Sequence, residues 1–458
     1  MNWRGLVYRG WRRLMGDRQF EILKTLRESE RWSPDRLREA QEARVRALLL
    51  HAFENVPYYR EPLLERGVVI EGQPPRVDFS RFGALPLLTR ATIRERALDL
   101  QDRRPARRGN GRFPVFSGGT TGDPIWVIQD RVTHQYLMAV KLWFDEWTGY
   151  TLGQPKVLLK NEGERPTNRP RAIVRRIGSY LRNEIPLRTG ILSEGRIDAY
   201  IDRINAIRPV QILALPSAAH EVARRAEMLG RVIVPPRAVM VSAEPLLPEM
   251  RPPIEGGFRA PVFDRYGSQE VADVACECAY HRGLHISALT HYVEVVRSDG
   301  RPCDPGEIGE IAITLLTNYS MPLIRYRIGD FGALAPDPCP CGRSLPSLSE
   351  VAGRVLDSFI RADGILVHGI YLRRFYRVIP WIVRFQVVQM ALNHVHVKLV
   401  DQERPASPMT ARRGDLATIA AHIRSAMGEN CRVTFEFLDE IPPAPSGKYR
   451  ATLSLVPR

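Results

Sequence analysis

A chain of 458 residues, 44% of them apolar, exceeds what one hydrophobic core usually fills and has the material for two or three folded domains. Its net charge of +15 is spread along the chain, and only 6 of the 66 basic residues are lysine (Lys24, Lys141, Lys156, Lys160, Lys398 and Lys448). This is the signature of a GC-rich genome and not of a basic patch, so no nucleic-acid partner is expected. No apolar run is long enough to span a membrane, no secretory leader is apparent, and six cysteines do not make a disulfide scaffold, so a cytoplasmic protein is expected.

Residues 3–15 carry Trp3, Val7, Trp11 and Leu14 at helical spacing among four arginines. Such a helix either docks its apolar face on the protein or lies on an anionic membrane surface, which would make the protein membrane-associated. Ser33-Pro34 opens a second helix that ends at Asn55-Val56-Pro57-Tyr58-Tyr59. From 113 to about 350, short aliphatic runs at 156–159, 210–215 and 238–242 alternate with helical patterns at 196–207 and 217–229. That alternation predicts an α/β fold with a large, mainly parallel sheet and ligands at the strand C-termini. Strand-rich text from Leu289 predicts a β-rich subdomain, followed by a Pro/Cys-rich loop at 336–346. After Gly353-Arg354 comes a small α+β unit: strand 358–360, helix 369–378, strands 385–390 and 395–399, a polar loop 401–414, helix 415–427 and strand 433–438. The expected organisation is therefore 1–112 helical, 113–353 core and 354–458 a small C-terminal domain.

Six stretches carry chemistry. Ser117-Gly118-Gly119-Thr120-Thr121-Gly122 lies between apolar runs 113–116 and 125–128, either as a hairpin turn or as a phosphate cradle of backbone N–H groups and hydroxyls. Ser242-Ala243-Glu244-Pro245 follows a strand. Asp264-Arg265-Tyr266-Gly267-Ser268-Gln269-Glu270 ends on a carboxylate beside an aromatic. Tyr326-Arg327-Ile328-Gly329-Asp330 places Tyr and Asp around a glycine, Gly353-Arg354 marks the change of composition, and Pro445-Ser446-Gly447-Lys448 lies near the end. Any one of them has an ordinary reading as a core aromatic, a turn carboxylate or a solvated tail.

In this order the set resembles the adenylate-forming superfamily, and within it the phenylacetate-CoA ligase and CapK-like branch. Leu48 to Arg60, Leu85-Pro86-Leu87-Leu88-Thr89-Arg90, and Glu244-Pro245 ahead of Tyr266-Gly267 are similar to that branch. The resemblance implies a reaction that joins a small-molecule carboxylic acid to the α-phosphate of ATP, with CoA as acceptor of the acyl group. Two anions about 4 Å apart repel by about 1 kcal/mol in water and about 4 kcal/mol in a protein-like dielectric, so such a site must supply cations and oriented N–H groups. By resemblance, Ser117 to Gly122 hold the phosphates, Glu270 binds Mg²⁺, Tyr266 with Gly267 and Ser268 meets the adenine, and Ser242, Ala243 and Glu244 pass beside it. Asp330 takes the ribose hydroxyls, Arg354 touches ATP at a hinge, and Lys448 serves the reaction centre. An aryl acid would sit between helix 136–147 (Tyr136, Trp143, Phe144, Trp147) and segment 213–218. The acceptor alternatives are an amine or hydroxyl, and a catalytically impaired scaffold is the third reading. The chain departs from the family pattern at Asp123, where Lys is usual, at Gly118 in place of a hydroxyl, and at Leu356, with Asp357 next to it, where an acid is usual.

Cys276-Glu277-Cys278-Ala279-Tyr280-His281 and Cys339-Pro340-Cys341 offer thiolates and imidazole, the ligands of a closed tetrahedral Zn²⁺ site. Cys278, His281, Cys339 and Cys341 are the expected ligands, with Cys276 and His285 in reserve. The phosphate loop yields a direct test. Asp123→Lys should lower the KM for ATP in acid-dependent ATP–pyrophosphate exchange, and a raised KM would contradict the placement of that loop.

Overall fold

The computed structural model of the protein describes residues 2–105, 109–117, 125–160, 169–189, 194–354, 359–363, 366–367, 372, 379, 381–401, 409–442 and 451–456. The chain divides into two compact units, one of residues 1–328 and 332–350 and one of residues 329–331 and 351–458.

The larger unit opens with four helices, α1 (Trp3–Leu14), α2 (Gln19–Ser29), α3 (Pro34–Asn55) and α4 (Pro57–Glu65). Ser33 caps α3 by accepting the amide of Arg36 at 3.3 Å, with Pro34 in its first turn, as that pair of residues predicts. A small hairpin of β1 (Val69–Ile70) and β2 (Arg76–Val77) and helix α5 (Arg90–Glu95) follow. Strands β3 (Arg112–Phe116) and β4 (Trp126–Asp130) pair antiparallel. Next come α6 (Arg131–Trp147), β5 (Lys156–Leu159), α7 (Arg169–Arg182), β6 (Glu184–Leu187), α8 (Glu194–Ile207), β7 (Gln211–Ala214), α9 (Pro216–Met228), β8 (Ala238–Ser242), α10 (Arg251–Phe258) and β9 (Val262–Ser268). The strands β10 (Ala272–Glu277), β11 (Leu284–Ile286), β12 (His291–Val296), β13 (Gly309–Leu315), β14 (Tyr326–Leu334) and β15 (Ser347–Arg354) complete the series.

What reads in the sequence as a parallel core and a separate β-rich part is one sheet of eleven strands, ordered β12-β13-β14-β15-β11-β10-β9-β8-β7-β5-β6. The run β9-β8-β7-β5-β6 is parallel, and the ladder turns antiparallel at β10. Its parallel strands are apolar on both faces because both are covered. Val157, Leu159, Ile212, Val239, Val241 and Val262 pack against α8, α9 and α10 on one side. Leu158, Leu213 and Met240 meet Val140, Trp143 and Phe144 of α6 on the other.

The second face also carries charge. Lys156 is wholly buried and donates to Asp145 of α6, and Arg265 of β9 lies 3.6 Å from the other oxygen of Asp145 and 3.3 Å from Asp273. Burial pulls the Lys156 ammonium down to about 8 against the pull of Asp145. Gln211 of β7 donates to Thr148 at 2.8 Å just past the end of α6, so three polar links fix the helix on the sheet.

In the smaller unit, β16 (Phe359–Ile360) pairs with β17 (Leu366–Val367), and a four-stranded sheet runs in the order β20 (Arg432–Leu438), β19 (His394–Asp401), β18 (Ile382–Ala391), β21 (Thr452–Ser454). Helix α11 (Met409–Met427) starts well before residue 415, because Ala411 to Arg413 are strong helix formers and extend it into the stretch that reads as a polar loop. Most of the expected helix 369–378 lies outside the described residues.

Asp145→Ala would leave Lys156 and Arg265 buried without their counter-charge. A loss of about 3–5 kcal/mol is expected, read as a lower midpoint in urea unfolding.

Candidate active site and metal centre

Ligands of open α/β sheets collect beyond the C-terminal ends of the parallel strands, and β8 and β9 end there side by side, next to the place where the sheet turns antiparallel. Ser242 closes β8, and Ala243 after it holds a left-handed backbone at φ 73°, a conformation rare outside glycine. Glu244 accepts the amide of Ser217 at 3.2 Å, so its carboxylate sits at the positive end of α9. Tyr266, Gly267 and Ser268 end β9. A Cβ on Gly267 would stand 2.1 Å from the carbonyl oxygen of Ala272, so only glycine lets β9 and β10 close this turn.

Glu270 lies in that turn and is almost wholly buried. Arg90 donates to its Oε1 at 2.6 Å and the Tyr326 hydroxyl to the same oxygen at 3.3 Å, while Gln129 of β4 holds its backbone carbonyl at 3.2 Å. Both of these side-chain donors go to Oε1 and neither to Oε2. Burial, with Glu270 alongside, pushes the Tyr326 phenol well above its ordinary range and keeps it a donor. The stretch Leu85 to Arg90 acquires a purpose: Leu88 pairs with the backbone around Tyr326 (3.0 and 2.9 Å) and so delivers Arg90 to Glu270. The sequence displays that stretch but gives no sign of its partner, which lies 180 residues away.

Ser117 is buried, its amide donating to Ile125 at 2.8 Å and its hydroxyl accepting the Ile125 amide at 3.0 Å, which closes the neck of the β3–β4 hairpin. Gly118, Gly119, Thr120, Thr121, Gly122 and Asp123 lie outside the described residues, as do Lys448, Leu356, Asp357 and the side chain of Arg354. Asp330 lies on β14 in the short stretch that belongs with the smaller unit, after Gly329 at φ 89°. Trp143 and Phe144 are buried in the core shared with α2. Trp147 packs edge-on against His285. Tyr136 meets Arg18 and Arg44 in a small surface cavity of about 120 Å³. Trp143, Phe144 and Trp147 take part in the packing of α6, and Tyr136 faces the cavity beside Arg18 and Arg44.

One cysteine of the first pair and both of the second do converge, with one change of partner. Cys278, His285, Cys339 and Cys341 place their ligand atoms within 4.8 Å of one another. Tetrahedral Zn²⁺ with bonds of about 2.3 Å to sulfur and about 2.0 Å to nitrogen sets sulfurs about 3.8 Å apart and sulfur and nitrogen about 3.5 Å apart. The Cys278–Cys339 sulfurs are 3.7 Å apart, and Cys341 Sγ is 3.3 Å from His285 Nε2. His285 turns Nδ1 toward the Leu345 carbonyl at 3.4 Å, which leaves Nε2 as the ligand atom, and burial foremost keeps the ring neutral. His281, the expected fourth ligand, instead faces Glu277 at 3.1 Å. Its left-handed backbone, φ 52°, turns the side chain away, whereas the antiparallel pairing of β10 and β11 brings His285 back beside the cysteines. Cys276 is buried in the core and outside the cluster.

The fold is that of adenylate-forming ligases. A 2-hydroxyisobutyryl-CoA ligase, solved in its postadenylation state with an acyl-AMP, superposes with a TM-score of 0.73 at 18% identity, covering 93% of this chain and 91% of that one. Residues 359–454 match the CapK C-terminal domain. Among curated proteins, the chain is similar to a phenylacetate-coenzyme A ligase of Thermus thermophilus, 27% identical across 92% of this chain and 97% of that protein. It is also similar to protein CapK of Staphylococcus aureus, 23% identical across 95% and 92%. The chain is thus similar along most of its length to phenylacetate-coenzyme A ligase and to protein CapK.

The two histidines separate cleanly by experiment. Metal analysis of the purified chain should find about one Zn²⁺ per molecule, retained in His281→Ala and lost in His285→Ala together with several degrees of melting temperature.

Proposed function

We propose that the protein is an ATP-dependent carboxylate ligase that forms an acyl-adenylate and passes the acyl group to CoA. In the first step the acid's carboxylate oxygen attacks the α-phosphorus and pyrophosphate leaves. In the second the CoA thiol displaces AMP and a proton is released. The observation that carries the reading is Glu270, a buried carboxylate in the turn from β9 to β10 where the sheet changes from parallel to antiparallel, fixed on one oxygen by Arg90 and Tyr326.

That fixation suits a magnesium ligand. A hard cation takes carboxylate oxygens, and Oε2 is the oxygen to which Arg90 and Tyr326 make no bond. Mg²⁺ when bound would neutralise phosphate charge. The chain's own part is to hold one carboxylate still and to keep competing donors on its far oxygen. The Tyr266 ring supplies an aromatic face for adenine, Asp330 an acceptor for the two ribose hydroxyls, Arg354 a cation at the junction and Lys448 a compact charge for the crowded α-phosphorus. The backbone and hydroxyls of Ser117 to Gly122 are assigned to the departing pyrophosphate. The Cys278–His285–Cys339–Cys341 cluster is assigned to a structural Zn²⁺, since four protein ligands leave no position for a substrate. The acid is taken as aromatic on the kinship with phenylacetate-CoA ligases.

An ATP–pyrophosphate exchange assay over a panel of aromatic and aliphatic acids tests the proposal. Exchange should depend on one class of acid and fall about a hundredfold or more in Lys448→Ala and in Glu270→Gln. Arg90→Met should fall as well, with a raised Mg²⁺ requirement as its distinguishing mark. Product analysis with CoA against amines then fixes the acceptor. Exchange with no acid at all on the panel would overturn the catalytic reading.

A further inference from the structure

Helix α1 has its apolar stripe on the outside. The side turned to the protein carries Gly5, Tyr8 and Arg12: Tyr8 is buried beneath Arg182, whose guanidinium donates to its hydroxyl at 3.3 Å, and Arg12 pairs with Asp17. Trp3, Leu6, Val7 and Leu14, three, four and eleven positions apart, lie on the opposite side, every one at least 49% exposed and Leu14 90% exposed.

Helix α7 repeats the arrangement next to it. Gly178 and Leu181 face inward, with Gly178 under the Trp11 ring, and the Arg4 guanidinium of α1 covers the Tyr180 ring at 4.5 Å. Ile173, Ile177 and Tyr180 look outward, each at least 45% exposed. The two helices therefore lie against each other with adjoining apolar stripes. Their sequences hold nine arginines and no carboxylate. Arg4, Arg12 and Arg182 are engaged by Asn183, Asp17 and Glu184, while Arg9, Arg13, Arg175 and Arg176 are exposed at the edges of the stripes.

We propose that the paired outer faces of α1 and α7 dock this protein on an anionic lipid bilayer. Apolar side chains flanked by arginine, with tryptophan and tyrosine among them, are what a helix lying in the headgroup region presents. The charge argues against a second copy as occupant, since a symmetric contact would oppose two acid-free arginine surfaces. No helix among the described residues is long and apolar enough to cross the membrane, so the attachment is to its surface.

The test is flotation of the full chain at low salt with vesicles of phosphatidylcholine alone or with a third phosphatidylglycerol. Three further proteins are compared: Leu6→Glu/Ile177→Glu, Arg9→Glu/Arg13→Glu, and an exposed control, Arg301→Glu. Binding should require the anionic lipid, weaken with salt, fall at least tenfold in both double variants, at roughly fivefold per lost charge, and persist in the control. Unchanged melting of the variants separates lost docking from lost fold. The proposal is overturned if the unmodified chain floats with neither vesicle or equally with both. It is also overturned if the double variants bind like the parent, or if the chain is a dimer that Leu6→Glu/Ile177→Glu dissociates, which would mean a second copy covers the face.

Discussion

Asp145 is the counter-charge on which the larger unit depends. Two cations, Lys156 from one strand and Arg265 from another, are buried beneath α6, and a buried cation is tolerable only where an anion meets it. Apolar contact alone would let α6 slide along the sheet, whereas the pairing with Asp145 and the Gln211–Thr148 bond admit one position. Everything laid on α6 inherits that position, including α2, whose contacts with it form much of the second core.

Arg265 is next in sequence to Tyr266, and alternation along β9 sends their side chains to opposite faces. The charge pairing below β9 and the candidate nucleotide site at its end are thus two sides of one strand. Gly267 then forces a close turn into β10, and Glu270 enters the interior where Arg90 and Tyr326 meet it. A carboxylate placed this way owes its position to the turn at Gly267 and to three distant segments, those of Arg90, Gln129 and Tyr326.

How far the sequence could be read follows from this. The alternating apolar runs revealed the parallel strands because both faces are covered, and Ser33-Pro34 marked a helix start because capping is local. Partnerships decided over long range were hidden. Arg90 carried no mark of Glu270, and His281 looked the better ligand by spacing until its backbone conformation and the β10–β11 pairing exchanged it for His285. The merging of the β-rich strands into the main sheet was hidden too, since pairing order leaves no trace in periodicity. The outer stripe of α1 was legible as an amphipathic pattern, but which side met the protein depended on Tyr8 finding Arg182 across the fold.

Glu30, just past α2, gathers these threads. Its carboxylate accepts from Trp143 and Trp147 of α6 and from Arg343, and its carbonyl accepts the Ser344 amide at 3.0 Å. Arg343 follows the second cysteine pair, so one residue ties the N-terminal helices to α6 and to the loop that carries Cys339 and Cys341. Thermodynamically these regions form a linked system. Whatever binds the cysteine cluster in the folded chain also raises the free energy needed to lift α2 from α6, and a loosened α2 weakens the hold on whatever is bound there by the same amount.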